Sequence, residues 1–245
     1  MQISVAVPCV GYADFLNLTL PHTAREFGSV TVITTSTDVD TLQCARAHSV
    51  PVHVTNAWYD GGASLDKAAA LNAWLDSLPS NPELWMLTLD ADILVPTEVL
   101  HDLHTLDTRY LYGVPRRLCK QLNEWNAFAA GQREWESFPV DSPPVFNGKL
   151  WGRHPTGNVA ATCGYFQLWH ASNSVGDKRF THCPTAAYYD IAFALSFGEE
   201  HRVNLADREV LHLGPTGSNW AGRQSEEWIG AHRFIRDDLE NEQAI

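Results

Sequence analysis

LWMLTLDADILVP, Leu84 to Pro96, sets two aspartates one residue apart behind a run of apolar residues. A short apolar run bounded by polar residues reads as a buried strand, and here the strand would end in negative charge. Asp90 and Asp92 repel each other and neither favours a strand, so a positive group belongs between them. In an extended backbone, residues two apart project to one side, which would aim Asp90 and Asp92 at a single point with Ala91 facing away. Two carboxylates so placed suit a hard divalent cation that keeps open positions for phosphate oxygens. The plainer alternative is an acidic strand end that caps the following turn.

The residues upstream favour the cation. β-branched runs at Gln2–Pro8, Ser29–Thr35 and Pro51–Thr55 alternate with helical patterns at Asp14–Phe27 and around Val39–His48, as in parallel βαβ units. Pro21 is expected to kink or divide the first helix. After NAWYDGGAS comes a strong helix from Ser64 to Leu78, with Ser64 as its N-cap and alanine and leucine inside it. Leu84–Leu89 is then the fourth strand, and in an open parallel sheet ligands gather beyond the carboxyl ends of the strands, where Asp90 and Asp92 fall.

Composition narrows the class. A chain of 245 residues with 44% hydrophobic content can bury a substantial core. No apolar run approaches the roughly 20 residues of a membrane helix, and Met1 leads straight into a strand without a basic leader, so a soluble, unprocessed, cytoplasmic protein is expected. Cys9, Cys44, Cys119, Cys163 and Cys183 are odd in number and never in C-x-x-C spacing, which indicates neither a disulfide framework nor a zinc ribbon. The net charge of −12 argues against a generic grip on nucleic acid or anionic lipid. Arg116, Arg117 and Lys120 form the densest basic patch, with Lys149 and Arg153 further on.

Past Pro96 the alternation fades. His101 and His104 sit on an expected helix, where they read as solvated residues more readily than as a metal pair. Leu118–His170 is rich in tryptophan, glycine and proline and is expected to be mostly irregular, either a satellite core under long loops or an aromatic platform for sugars or bases. Tyr188–Phe197 has helical apolar spacing, and Ser225–Leu239 reads as a polar amphipathic helix.

Further residues could complete a site. His212 in VLHLG follows a short apolar strand; a lone histidine there is more often a hydrogen-bonded structural residue, and only the acidic pair makes it a candidate third ligand, which tilts the metal modestly from Mg²⁺ toward Mn²⁺. Lys67 lies in the first turn of the third helix, where the helix dipole and an ammonium together favour phosphate, although from the local sequence alone a surface lysine is the better reading. GPTGSNWAGR, Gly214 to Arg223, is either an ordinary glycine-rich connection or a lid over the donor with Arg223 on a diphosphate. Neither a P-loop nor a dinucleotide fingerprint is present.

In order along the chain, VAVPCVGYADFLNLTLPH, TTSTDVDT, YDGGASLDKAAALN, LTLDADILVP, CGYFQLWH, YYDIAFAL and HLGPTGSNWAGR resemble the GT-A glycosyltransferases, in particular small bacterial and bacteriophage members related to family 2. The resemblance spans nearly the whole chain. It implies one α/β domain over 1–245, with a Rossmann-like, mostly parallel sheet, a nucleotide-sugar half at 1–97 and an acceptor-binding, metal-completing half at 98–245. Carried over by residue, it implies that Pro8, Val10 and Tyr12 wall the nucleotide base and that Asp38 lies near base or ribose. Lys67, Ala91 and Arg223 would approach the donor, Asp90 would contact ribose or the metal shell, and Asp92 and His212 would bind Mn²⁺ or Mg²⁺. Asp190 would face the acceptor hydroxyl, with Trp151, Tyr165 and Trp220 on the acceptor side. Two tyrosines precede Asp190 where the family usually keeps a second acidic residue, so the base assignment is the least secured.

The implied reaction moves a sugar from a nucleoside diphosphate sugar, a UDP-sugar first, to a hydroxyl. A metal stabilises the leaving diphosphate, and a carboxylate takes the acceptor proton. Inversion would make Asp190 the base, and retention would leave it to orient the acceptor. The acceptor is a glycan or, as the minority reading, hydroxymethylated pyrimidine in phage DNA, with a flipped base stacked on tryptophan. Three other classes rank lower. A haloacid-dehalogenase-type phosphatase would carry its D-x-D on the first strand. A nucleotidyltransferase would show a glycine-rich basic opening after Pro8, and a carbohydrate-binding module would leave the acidic pair unexplained.

Overall fold

The computed structural model describes residues 2–79, 81–100, 105–141, 145–146, 149–154, 157–160, 164–173, 179–214 and 222–223. Its first part follows the expected alternation: β1 (Ile3–Pro8), α1 (Ala13–Phe27), β2 (Val30–Thr34), α2 (Val39–Ala47), β3 (Val52–Val54), α3 (Lys67–Ser77) and β4 (Trp85–Leu89). β1 pairs in parallel with both β2 and β4, and β2 pairs in parallel with β3. Successive residues of a strand face opposite sides, and helices cover both. Val5, Val7, Leu87 and Leu89 pack with Leu16, Leu20 and Cys44 on one face. Ala6, Ile33 and Met86 pack with Leu71, Trp74 and Phe193 on the other.

Two local expectations need correction. α1 runs through Pro21 as one helix. Tertiary bonds hold both flanks of the proline: the Thr19 hydroxyl donates to Ala91 O at 2.7 Å, and His22 Nε2 lies 2.6 Å from Val95 O. α3 is capped by Asp66, not Ser64, because the Asp66 carboxylate accepts from Ala69 N–H at 2.9 Å. Ser64 instead donates its backbone N–H to Pro184 O at 2.9 Å.

The second part contains β5 (Ile93–Leu94), β6 (Leu111–Gly113), β7 (Arg116–Cys119), α4 (Leu122–Ala129), β8 (Val140–Asp141), β9 (Val145–Phe146), β10 (Lys149–His154), β11 (Gly157–Ala160), β12 (Phe166–His170), α5 (Tyr189–Leu195), β13 (Arg202–Asn204) and β14 (Val210–Leu213). Leu118–His170 is therefore not mostly irregular. Its strands are short and several of their partners are remote in sequence, β7 pairing with β14 and β12 with β4, which leaves little local periodicity to read.

The main sheet has seven strands in the order β13-β6-β12-β4-β1-β2-β3, and β12 alone runs against the rest. A four-stranded sheet, β5-β14-β7-β8, and a three-stranded sheet, β11-β10-β9, accompany it. The fold is thus α/β with a mostly parallel central sheet flanked by helices. Among the described residues, no helix is long and apolar enough to cross a membrane. His101, His104, Cys163, Trp220 and the helix expected at Ser225–Leu239 lie outside the described residues.

Candidate active site

The strand order reverses between β1 and β4, since α1 and α2 carry the chain outward to β3 and α3 returns it to the far side of β1. Such a switch point opens a crevice beyond the carboxyl ends of the two strands. The register from Ile3↔Trp85 to Ala6↔Thr88 brings both strands out at one level, so the loop Cys9–Tyr12 and the segment Asp90–Asp92 flank that crevice.

Asp90 and Asp92 do not lie on an extended strand. Ile93 N–H donates to Asp90 O at 3.2 Å, which closes a turn, and Asp90 N–H is held by Tyr165 O at 3.1 Å. The turn gives the two carboxylates different partners, although Asp90 still acts electrostatically on Asp92. Asp90 forms an ion pair with Lys67 from the first turn of α3. Burial opposes the charge on Lys67, but the Asp90 carboxylate outweighs it and holds the ammonium well above its usual range.

Asp92 turns toward β14. β5 pairs antiparallel with β14, matching His212 with Ile93, and Leu213 N–H donates to Asp92 O at 2.8 Å. This register leaves His212 Nε2 3.5 Å from Asp92 Oδ2, with both side chains nearly buried. Asp92 Oδ1 is buried and, among the described residues, has no hydrogen-bond partner. Burial, reinforced by the charge of Asp90, pushes the Asp92 carboxyl up to about 7. An oxygen and an imidazole this close, with one lone-pair site unsatisfied, form a donor set matched to a divalent cation. Among the described residues, no three His, Cys, Asp or Glu side chains converge tightly enough to hold a metal unaided.

Asp190 stands in the first turn of α5, entered through Tyr188 in a left-handed conformation with φ 64°. Gly164 N–H donates to Asp190 Oδ2 at 2.7 Å, and Gln167 Nε2 donates to the Asp190 carbonyl at 3.0 Å. A Cβ on Gly164 would lie 2.6 Å from Asp190 Cβ and 2.8 Å from the Tyr189 hydroxyl, so only glycine permits this approach. Burial raises the Asp190 carboxyl above its usual range, against the backbone N–H groups that lower it. Lys67 Nζ lies 5.0 Å from the centre of the Tyr189 ring, which connects the Asp90 corner to the start of α5.

The remaining candidates are more scattered. Pro8 ends β1 and is buried, while Val10 and Tyr12 are half-buried in the loop that follows. Ala91 is buried in the core against the α1 face. Asp38 caps α2, accepting from Thr41 N–H at 3.2 Å, and also accepts from Gly11 N–H at 2.8 Å. Arg223 pairs with Asp14. Tyr165 is buried and donates its hydroxyl to Val114 O at 2.6 Å, and Trp151 is a residue of β10. Within the basic patch, Arg117 is engaged by Glu209 and by Phe138 O.

The structure brings further residues to the site: Arg116 from the basic patch, and Gly164, Tyr189 and Asp14, which the sequence did not single out. Arg116, on β7, lies with its guanidinium 4.7 Å from the Tyr165 ring centre and lowers the Asp92 carboxyl electrostatically. Gly164 and Tyr189 bracket Asp190, and Asp14 receives Arg223. CGYF and YYD contained the first two, but nothing local announces that Gly164 and Asp190, 26 residues apart, touch.

No family model and no curated protein matches the chain. Solved structures do match. A mannosyltransferase from Pyrobaculum calidifontis, in complex with GDP-Man and Mn²⁺, superposes with a TM-score of 0.55 at 15% identity over 88% of this chain; the chain spans only 57% of that protein's length. Glucosyl-3-phosphoglycerate synthase from Mycobacterium tuberculosis, in complex with UDP, superposes with a TM-score of 0.51 at 16% identity, covering 100% of this chain and 80% of that one. The fold is that of GT-A glycosyltransferases. At these identities the likeness concerns the fold, and the chemistry must be argued from the site.

Proposed function

We propose that the chain is a metal-dependent glycosyltransferase that moves a sugar from a nucleoside diphosphate sugar, a UDP-sugar first, to an acceptor hydroxyl. The observation that carries this reading is the pairing of Asp92 with His212 at the switch-point crevice, with Asp92 Oδ1 buried and unsatisfied among the described residues. The two GT-A neighbours above, captured with GDP-Man and Mn²⁺ and with UDP, support it.

Asp92 and His212 would hold Mn²⁺ or Mg²⁺, with the donor diphosphate and water filling its other positions. When bound, the cation stabilises the negative charge that grows on the leaving diphosphate. The loop Cys9–Tyr12 receives the nucleoside, and Asp90, half-exposed beside Lys67, accepts hydrogen bonds from ribose or from the metal's water shell. Arg116 adds positive charge on the Asp92 side.

Asp190 takes the proton of the acceptor hydroxyl if the enzyme inverts. Gly164 N–H fixes one carboxylate oxygen, and the proton affinity raised by burial suits a general base. The preferred acceptor is a glycan. Arg117, one of the cations that a DNA acceptor would call upon, is held by Glu209 and Phe138 O, which lends the nucleic-acid reading less support. The buried free thiols Cys9, Cys44 and Cys119 fit a reducing cytoplasm.

The purified protein is expected to hydrolyse at least one nucleoside diphosphate sugar slowly when Mn²⁺ is present. A panel of common donors that shows neither binding nor metal-dependent turnover would overturn the reading.

A further inference from the structure

Asp14, in the first turn of α1, is completely buried, and such a carboxylate needs a partner. Arg223 supplies it from 209 residues away, both Nη atoms reaching the two carboxylate oxygens. The same guanidinium donates from Nη1 to Gly11 O at 3.0 Å and lies 4.9 Å and 5.0 Å from the ring centres of Tyr12 and Phe15. On the other side of the same residue, Gly11 N–H donates to Asp38 Oδ2 at 2.8 Å, and Asp38 is itself fixed at the N-cap of α2. Gly11 has φ +71°, in the left-handed region where the loop depends on glycine and on outside restraint.

The N–H and the C=O of Gly11 are therefore both held, one by Asp38 and the other by Arg223. We propose that Arg223 is a positioning residue: together with Asp14 and Asp38 it locks the Cys9–Tyr12 loop in the form that receives the nucleoside, and it does not grip the diphosphate. The inference rests on the donor reading above. Its physical basis is that the Arg223 charge is neutralised by a buried carboxylate, so its fork is committed to α1 and to the loop. Lysine cannot reproduce that fork, because a point charge cannot bind both carboxylate oxygens and the Gly11 carbonyl in one plane.

The test separates base from phosphate. Binding of uridine and of UDP, and of guanosine and GDP, is measured on the full chain with Mn²⁺ for the wild type, Arg223→Lys and the double variant D14N/R223Q. The double variant removes both charges together and leaves no buried charge, which preserves the fold if the single variant loses it. Arg223→Lys is expected to weaken a nucleoside and its diphosphate by the same factor, on the order of tenfold. The double variant is expected to do likewise. A loss for the diphosphate at least tenfold larger than for the nucleoside would assign Arg223 to the phosphates and overturn the proposal, and so would unchanged binding of both. If the wild type binds none of the four compounds, the donor reading itself falls and takes the proposal with it. That outcome is distinct from the other two, in which the wild type binds.

Discussion

Asp90 and Asp92 share one turn, yet their corners of the crevice differ in kind. The Asp90 corner is electrostatically complete, because a buried ammonium faces a carboxylate that retains access to water. The Asp92 corner is less complete, since a nearly buried carboxyl lies beside an imidazole and, among the described residues, keeps one oxygen without a hydrogen-bond partner. The difference teaches that a D-x-D motif need not be one bidentate claw. Here the turn sets one carboxylate against a fixed cation from α3 and the other beside an imidazole from β14.

The most severe test of this contrast is Asp92→Asn. Metal-dependent turnover should fall by about 10³-fold or more, and Mn²⁺ should cease to raise the melting temperature. The variant should stay folded, since it removes a carboxyl that burial disfavours. Undiminished turnover would erase the distinction between the two corners.

Next in size is Asp190→Asn, for which a loss of about 10²-fold is expected if Asp190 is the base. The pH profile gives the sign. A base acts deprotonated, so wild-type kcat/KM should fall as pH drops through a pKa above the usual carboxylate range. In the variant that acid limb should vanish. The same raised pKa means that the folded state holds this proton more tightly than the unfolded chain does, so stability is lost as pH rises from the unfolded to the folded pKa. Asp190→Asn should remove that decline, which melting curves across acidic pH would show.

Asp90→Asn probes the complete corner and should act mainly on stability. It leaves Lys67 buried without its counter-charge, at a cost of about 2 kcal/mol, moderated by the partial exposure of Asp90. Equal melting temperatures for the Asp90 and Asp92 variants would contradict the comparison. The smallest effect is expected for Tyr189→Phe. The Lys67 ammonium reaches the buried Tyr189 hydroxyl as well as the Asp90 carboxylate, so loss of the hydroxyl should cost about 1 kcal/mol while the ring stays packed in the core beside Phe180. An unchanged melting temperature would show that Asp90 alone holds Lys67.

What the sequence discloses follows the range of the interactions involved. The first four strands and Lys67 at the head of α3 were approachable from local pattern, because β-branched runs and an alanine-rich helix announce themselves within a few residues. Ser64 looked like the cap because it sits before the alanine run, and the structure prefers Asp66, whose carboxylate reaches Ala69 N–H. An extended backbone would make the two aspartates co-directional, whereas the hydrogen bond from Ile93 N–H to Asp90 O closes a turn there and gives them different partners. Contacts such as Gly164 with Asp190 and Arg223 with Asp14 join residues 26 and 209 positions apart, and no periodicity encodes them.

The reversed strand β12 carries a consequence for folding. All five residues of β4 are buried, and one of its two hydrogen-bonding edges is covered by β12, which comes from the second half of the chain. Until β12 docks, β4 presents an apolar, unpaired edge of the kind that recruits other chains. The residues just before β12 are Gly164 and Tyr165, which hold Asp190 and the backbone of Asp90. Docking one strand therefore both seals the sticky edge and assembles the two aspartates, so a chain caught before that step is at once inactive and prone to aggregate. Solubility during refolding should rise in step with the appearance of activity.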